Sequence, residues 1–199
     1  MAEDRKTLSA SDWAATALDA IVRDGIDAVA VEPLARRLGV TKGSFYWHFA
    51  NREALLMAAL ALWERRETEE TFASVRREPD PRLRIQKLFA TVHAGERAAR
   101  LYQALSAAAV NDPRIEAVVR RASERGLQFL NDCYRALGLS THDAGQWAML
   151  AYSVYLGTLQ VRRDQPEALP AGADYQVYLK FLTNTLLPAE MPAADARIA

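Results

Sequence analysis

The sequence predicts an all-α protein: an N-terminal three-helix helix-turn-helix domain followed by a larger helical bundle. Three observations predict it. Apolar residues recur at three- and four-residue spacings, and no stretch alternates apolar with polar residues as a half-buried strand would. Capping residues, glycines and prolines punctuate these stretches at helix-length intervals. Finally, residues 31–49 hold two short helical patterns joined by a turn at Gly39.

The first helix opens on Ser9 and Asp12, a capping-box pair, with Leu8 and Trp13 at staple positions. Trp13, Ala17 and Ile21 form one buried stripe, and Asp24-Gly25 ends the helix. The second helix is expected from Val31 to Leu38. Ala30 is a poor cap for it, and Pro33 is tolerable only in its first turn. The third is expected from Lys42 to Phe49. Asn51 is a good N-cap for a fourth helix running to about Arg76. The charge run 64–70 reads as its solvated face. Pro79-Asp-Pro81 breaks the chain. Further helices are expected at about 81–94, 97–109, 113–137, 142–164 and 173–187. Asp112-Pro113 and Ser140/Asp143 are start signals, Gly138 a stop, and 165–172 a loop.

The helix-turn-helix segment carries the chemistry. Ala35 lets two helices approach closely, and Gly39 can take a positive φ after the first of them. Leu34, Leu38, Val40, Phe45 and Phe49 can close a small core. That leaves Thr41, Lys42, Gly43, Ser44, Tyr46, Trp47 and His48 facing out, which are hydrogen-bonding groups, a cation and flat rings. From Leu34 to Arg52 there are four cations (Arg36, Arg37, Lys42 and Arg52) and no Asp or Glu. The whole chain balances 25 basic against 25 acidic residues, so this face is locally distinct. A phosphate backbone favours such a face.

The run Leu34-Ala-Arg-Arg-Leu-Gly-Val-Thr-Lys-Gly-Ser-Phe-Tyr-Trp-His-Phe-Ala-Asn-Arg-Glu-Ala-Leu55 resembles the DNA-binding domain of the TetR family of transcriptional repressors. The likeness extends from about Ser9 to about Leu56. Arg52 stands where Lys is usual, which keeps the cation. Residue chemistry and resemblance together imply these roles. Thr41 caps the third helix and can touch phosphate. Lys42 reaches a guanine edge or a phosphate, and Gly43 permits close backbone approach. Ser44 and Trp47 point into the groove, Trp47 toward a thymine methyl. Tyr46 and His48 hydrogen-bond phosphates; alternatively Tyr46 is half-buried and His48 only meets a helix dipole. Arg52 grips a phosphate at the fourth helix's N-terminus. Of Arg36 and Arg37, at least one faces the backbone, and the sequence does not say which.

The resemblance also implies a division of labour: residues 1–50 bind DNA, a fourth helix at about 51–77 connects, and 78–187 bind ligand and dimerise. The Ala- and Pro-rich composition of residues 188–199 predicts a flexible tail. A homodimer would read a palindromic double-stranded DNA operator and be released by a small-molecule inducer. Candidate pocket residues are Phe89, His93, Tyr102, Phe129, Cys133, Trp147 and Tyr152, each read first as plain core, since a helical bundle needs aromatics regardless. His93 stands out because a histidine on an apolar stripe needs a polar partner. Candidate dimer contacts are Leu150, Val154, Gly157, Tyr175, Tyr178 and Leu182.

Composition sets the outer limits. Half the residues are hydrophobic and a quarter charged, as in a soluble globular protein. No apolar run approaches the roughly 18 residues of a membrane span. A single cysteine, Cys133, and an N-terminus without an apolar core fit a cytoplasmic protein. His48, His93 and His142 are scattered, with no paired cysteines and no glycine-rich phosphate loop, so no metal, cofactor or enzyme site is expected. Two rival readings remain: an enzyme whose site forms only by folding, and a helical ligand-binding dimer that has lost DNA binding.

Overall fold

In the computed structural model, which describes residues 8–188, the starts of several helices follow local capping chemistry. α1 spans Ala10–Asp24, and its Ser9 and Asp12 close the reciprocal capping box. A 3₁₀ turn, Ile26–Ala28, leads to α2, Val31–Leu38. α3 is Lys42–Tyr46, and α4 is Arg52–Glu64, capped by Asn51 accepting from the Ala54 amide at 2.8 Å. α5 (Thr71–Arg76), α6 (Pro81–Ala94), α7 (Glu96–Ala109), α8 (Pro113–Ala136), α9 (Thr141–Asp164) and α10 (Gly172–Thr185) follow. Among the described residues there is no strand, and no helix is long and apolar enough to cross a membrane. α6 and α8 share one start signal: Asp80 and Asp112 accept from the amides of Arg82 and Arg114, with proline at the first helical position.

Two elements depart from the sequence expectation. The fourth helix does not run as a regular α-helix to Arg76. Residues Arg65–Glu70 are π-helical, and the wider turn shows in side-chain spacing. Arg65 pairs with Glu70 five positions on, and the Thr71 hydroxyl donates to the Arg66 carbonyl five positions back. The third helix ends at Tyr46, not Phe49. The Phe45 carbonyl accepts from both the His48 and Phe49 amides, which tightens the last turn and swings Phe49 into the core.

Helix packing divides the chain into two units. One comprises residues 8–72 and 95–125; the other comprises 73–94 and 126–188. The first therefore holds α7 and the start of α8, which the sequence reading had placed with residues 78–187. Its core is one cluster: Trp13, Leu18 and Ile21 of α1, Leu34 of α2, Phe45 of α3, Leu55, Leu60 and Trp63 of α4, Leu101 and Leu105 of α7, and Ile115 and Val118 of α8. Polar ties reinforce it. Arg97 binds Asp19, Arg114 binds Glu53, and Arg121 and Arg125 both bind Glu64 at 2.9 Å. Those bonds hold the Glu64 carboxyl below its usual range, the Arg121 hydrogen bond first. The second unit packs α6, the rest of α8, α9 and α10 around Ile85, Phe89, Phe129, Leu130, Tyr134 and Leu179. There the buried Tyr134 hydroxyl donates to the Leu186 carbonyl at 2.8 Å.

Candidate nucleic-acid interface

Gly39 makes the turn. Its φ of 68° and ψ of 28° are left-handed, and the amides of Gly39 and Val40 bond back to the carbonyls of Arg36 and Ala35. This is a Schellman closure, which favours a residue without a Cβ at that position. The chain then enters α3 through Thr41. Its backbone is extended, as an N-cap requires, but its side chain makes no capping bond. Thr41 thus holds the expected N-cap position without a side-chain bond, and the Ser44 amide bonds to the Thr41 carbonyl.

Phe45 orients the whole face. It is fully buried, edge-on to Trp13 with ring centroids 5.4 Å apart and 5.6 Å from Phe49. With Phe45 turned in, Thr41, Lys42, Gly43, Tyr46, Trp47 and His48 all turn out, and Ser44 is half-buried. Trp47 is 89% exposed and Tyr46 57%, exposures that no packing role requires. Gly43 has room: a Cβ there would meet only the Thr41 hydroxyl at 3.7 Å. Folding does not demand its missing side chain. Both Arg36 and Arg37 are exposed.

Two cations are already engaged within the protein. Lys42 Nζ lies 2.8 Å from Glu32 Oε1, both side chains being largely exposed. The Lys42 ammonium holds the Glu32 carboxyl below its usual range, through the hydrogen bond first and charge second. Glu32 escaped the sequence reading because it lies two residues ahead of the acid-free run; only the fold of α2 against α3 brings it to Lys42. Arg52 donates from Nε to the Val29 carbonyl at 2.6 Å and from Nη2 to the Ile26 carbonyl at 3.2 Å. It fastens the segment before α2 to the start of α4, which makes it a positioning residue within the protein.

Glu32 competes with DNA for Lys42. Replacing it by Gln is expected to leave the fold intact and raise affinity for duplex DNA up to about fivefold at low salt, the range of an exposed ion pair. The logarithmic salt slope should steepen by about 0.9, one more phosphate contact. Fluorescence anisotropy at several salt concentrations reads both. Weaker binding instead would place the carboxylate among the DNA-reading groups.

In the second unit the candidate pocket residues do not form one group. Tyr102 belongs to the first unit, where its ring lies 6.5 Å from Trp63. Phe89, His93, Phe129 and Cys133 are buried, and Trp147 and Tyr152 half-buried. Phe129 lies under the Arg76 guanidinium at 5.2 Å, and Trp147 packs on Tyr134. Burial pushes the Cys133 thiol up to about 11, which keeps it protonated and unreactive at neutral pH. The candidate dimer residues are better gathered. Val154, Gly157, Tyr178 and Leu182 line an open, mostly apolar groove of about 550 Å³ between α9, the 3₁₀ turn Pro166–Ala168 and α10. Val161 lines the same groove, and Leu150, Met149, Val177 and Phe181 are exposed on the same two helices. Tyr175 is engaged by Arg162, which donates to its hydroxyl and lies over its ring at 5.4 Å.

A short helix held by one buried ring, presenting exposed aromatics and cations after a glycine turn, has the form of a helix-turn-helix. Comparison with known proteins is more specific. Residues 14–62 match the model of the bacterial regulatory proteins of the tetR family. Over 42 residues the chain is 48% identical to the class A tetracycline repressor from transposon 1721 in Escherichia coli, covering 21% of this chain and 19% of that protein. Over 45 residues it is 40% identical to the transcriptional regulator SrpR of Pseudomonas putida, covering 23% of this chain and 21% of that one. The matched segments thus span about a fifth of these relatives. A transcriptional regulator from Rhodococcus sp. Rha1 shares the fold with a TM-score of 0.72 at 20% identity, over 90% of this chain and 96% of that one. FadR from Bacillus subtilis, solved with stearoyl-CoA, does so with a TM-score of 0.66 at 14% identity, over 92% and 100%. The similarity to the tetR family of bacterial regulatory proteins thus rests on residues 14–62.

Proposed function

We propose that this DNA-binding regulator is a homodimeric repressor that leaves a palindromic operator when a small molecule binds its second unit. The observation that carries the DNA part is the outward row Thr41, Lys42, Gly43, Tyr46, Trp47 and His48, held by the buried Phe45 and flanked by exposed Arg36 and Arg37. Tyr46 and His48 bond phosphates, Arg36 and Arg37 supply charge, Lys42 reaches a phosphate or a guanine edge, and Trp47 reads a base edge. Ser44 supports this row from the side, and Arg52 acts by positioning it.

The apolar stripe on α9 and α10 supports a dimer. Leu150, Val154, Gly157 and Val161 recur at helical spacing, with Val177 and Phe181 on the neighbouring helix in sequence. A two-fold pair places two reading heads about one helical turn of DNA apart, roughly 34–36 Å, or a multiple of it. A dimer on a promoter represses by occupying it. Release follows if the ligand binds more tightly to the protomer arrangement that misfits the operator, a coupling of about 1–3 kcal/mol. FadR's stearoyl-CoA supports a ligand in this fold, without naming this chain's own.

Selection of bound duplexes from random DNA tests the reading. Wild-type protein is expected to enrich a palindrome, which Tyr46→Ala/Trp47→Ala does not retain. Gly43→Ala adds a sharper arm. It is expected to leave thermal stability equal or higher, since alanine is the better helix former by about 1 kcal/mol. It should nonetheless weaken DNA binding at least tenfold by holding the backbone off the duplex. No enrichment by wild type at low salt would favour the ligand-binding dimer without DNA function.

A further inference from the structure

His93 has one hydrogen-bonding atom that folding leaves unused. The side chain is 1% exposed, on the last turn of α6. Its Nδ1 lies 2.9 Å from the Phe89 carbonyl. A carbonyl only accepts, so Nδ1 carries the hydrogen and the neutral ring keeps a lone pair at Nε2. Among the described residues Nε2 has no hydrogen-bond partner. A buried acceptor without a donor is costly, and a leucine would fill a helical core position without that cost.

The surroundings restrict what can meet it. The Phe89 ring stacks on the imidazole with centroids 5.5 Å apart and 19° between planes, and the Tyr155 ring stands edge-on at 5.8 Å. The nearby charge is positive: Arg162 of α9 donates to the His93 carbonyl at 3.2 Å and continues to Tyr175. Burial and that cation both hold the imidazole below its usual pKa, burial first, so the ring is neutral in the physiological range. A cationic ligand would be repelled, and a carboxylate has no hydrogen to give.

We propose that His93 Nε2 is the polar anchor of an effector site in this unit, accepting from the O–H or N–H of an uncharged ligand with a flat, ring-bearing skeleton. The proposal rests on the ligand-released reading and specifies its chemistry. The Phe89 and Tyr155 rings supply apolar surface for the skeleton, and Nε2 supplies orientation. A site built to accept one hydrogen discriminates strongly against analogues that lack it.

Calorimetric titration of the full chain with matched probes tests this. The pairs are 2-naphthol against naphthalene, and indole against 1-methylindole. The donor member of each pair is expected to bind at least tenfold more tightly. In His93→Phe, which keeps a ring of similar size, that difference should vanish, while His93→Gln, which keeps an acceptor, should retain part of it. The His93 ¹⁵Nε2 resonance should move on adding the donor member and stay still with its partner. Absence of binding by both donor probes, or equal binding by wild type and His93→Phe, overturns the assignment. A broad compound screen on the operator complex separates the two levels. Release by compounds that leave the ¹⁵Nε2 signal unmoved overturns the role of His93 and keeps the ligand-released reading. Release by no compound overturns both.

Discussion

Phe45→Ala is expected to cost about 3–5 kcal/mol of stability in the first unit, the usual range for deleting a buried aromatic ring. That is a large share of the roughly 5–15 kcal/mol that holds a domain folded. The ring is fully buried against Trp13 and Phe49, in a five-residue helix with no side-chain cap of its own. Without it α3 has little to hold it, because an isolated helix this short is unstable in water. Urea unfolding followed by tryptophan fluorescence measures the loss, Trp13 being in contact with the ring. Operator binding should vanish together with the stability. Tyr46→Ala, on the next residue, should leave the unfolding midpoint within about 0.5 kcal/mol, as exposed positions do, while also abolishing operator binding. A Phe45→Ala loss below about 1 kcal/mol would mean the ring does not anchor the reading face.

Leu150→Glu and Phe181→Glu together are expected to convert the proposed dimer to a folded monomer. The two side chains are 49% and 63% exposed in the protomer, so the carboxylates reach solvent and the protomer core is untouched. Across a two-fold interface each substitution appears twice, so four carboxylates would meet in an apolar contact. Burying them unpaired costs several kcal/mol, on the order of a hundredfold or more in dimer affinity. Light scattering after size exclusion reads the mass, and circular dichroism checks that helicity is kept. Binding to a two-half-site operator should fall with the dimer, while weak binding to a single half-site persists. An unchanged mass would show that the stripe on α9 and α10 is covered by something other than a second copy.

Local chemistry was legible in the sequence wherever cause and effect lie within a few residues. The Ser9/Asp12 box, the Asn51 cap and the left-handed Gly39 are each decided by neighbours in the chain, and each could be read directly. So could the inward Phe45 and the outward row around it, because a helix repeats every 3.6 residues and one anchor orients the rest. Misreadings arose where two effects compete at short range. The pattern 42–49 looks uniformly helical, yet Phe49 reaches the core only if the helix tightens and stops at Tyr46. The charge run 64–70 gave no sign of π geometry, since those residues accept either helix type.

By itself the sequence determined the all-α class and the position of the helix-turn-helix segment, because caps, turns and helical periodicity act over one or two turns of chain. Only the tertiary structure decided how the cations of this segment are engaged within the protein. Lys42 meets Glu32 across the turn, Arg52 is taken by the carbonyls of Ile26 and Val29, and Arg36 and Arg37 are left outward. It also decided that His93 lies buried with Nδ1 bonded and Nε2 unpartnered. The physical reason is the same in each case: the partner of a charge or a lone pair is whatever packing brings within about 3 Å, and sequence separation does not encode that distance.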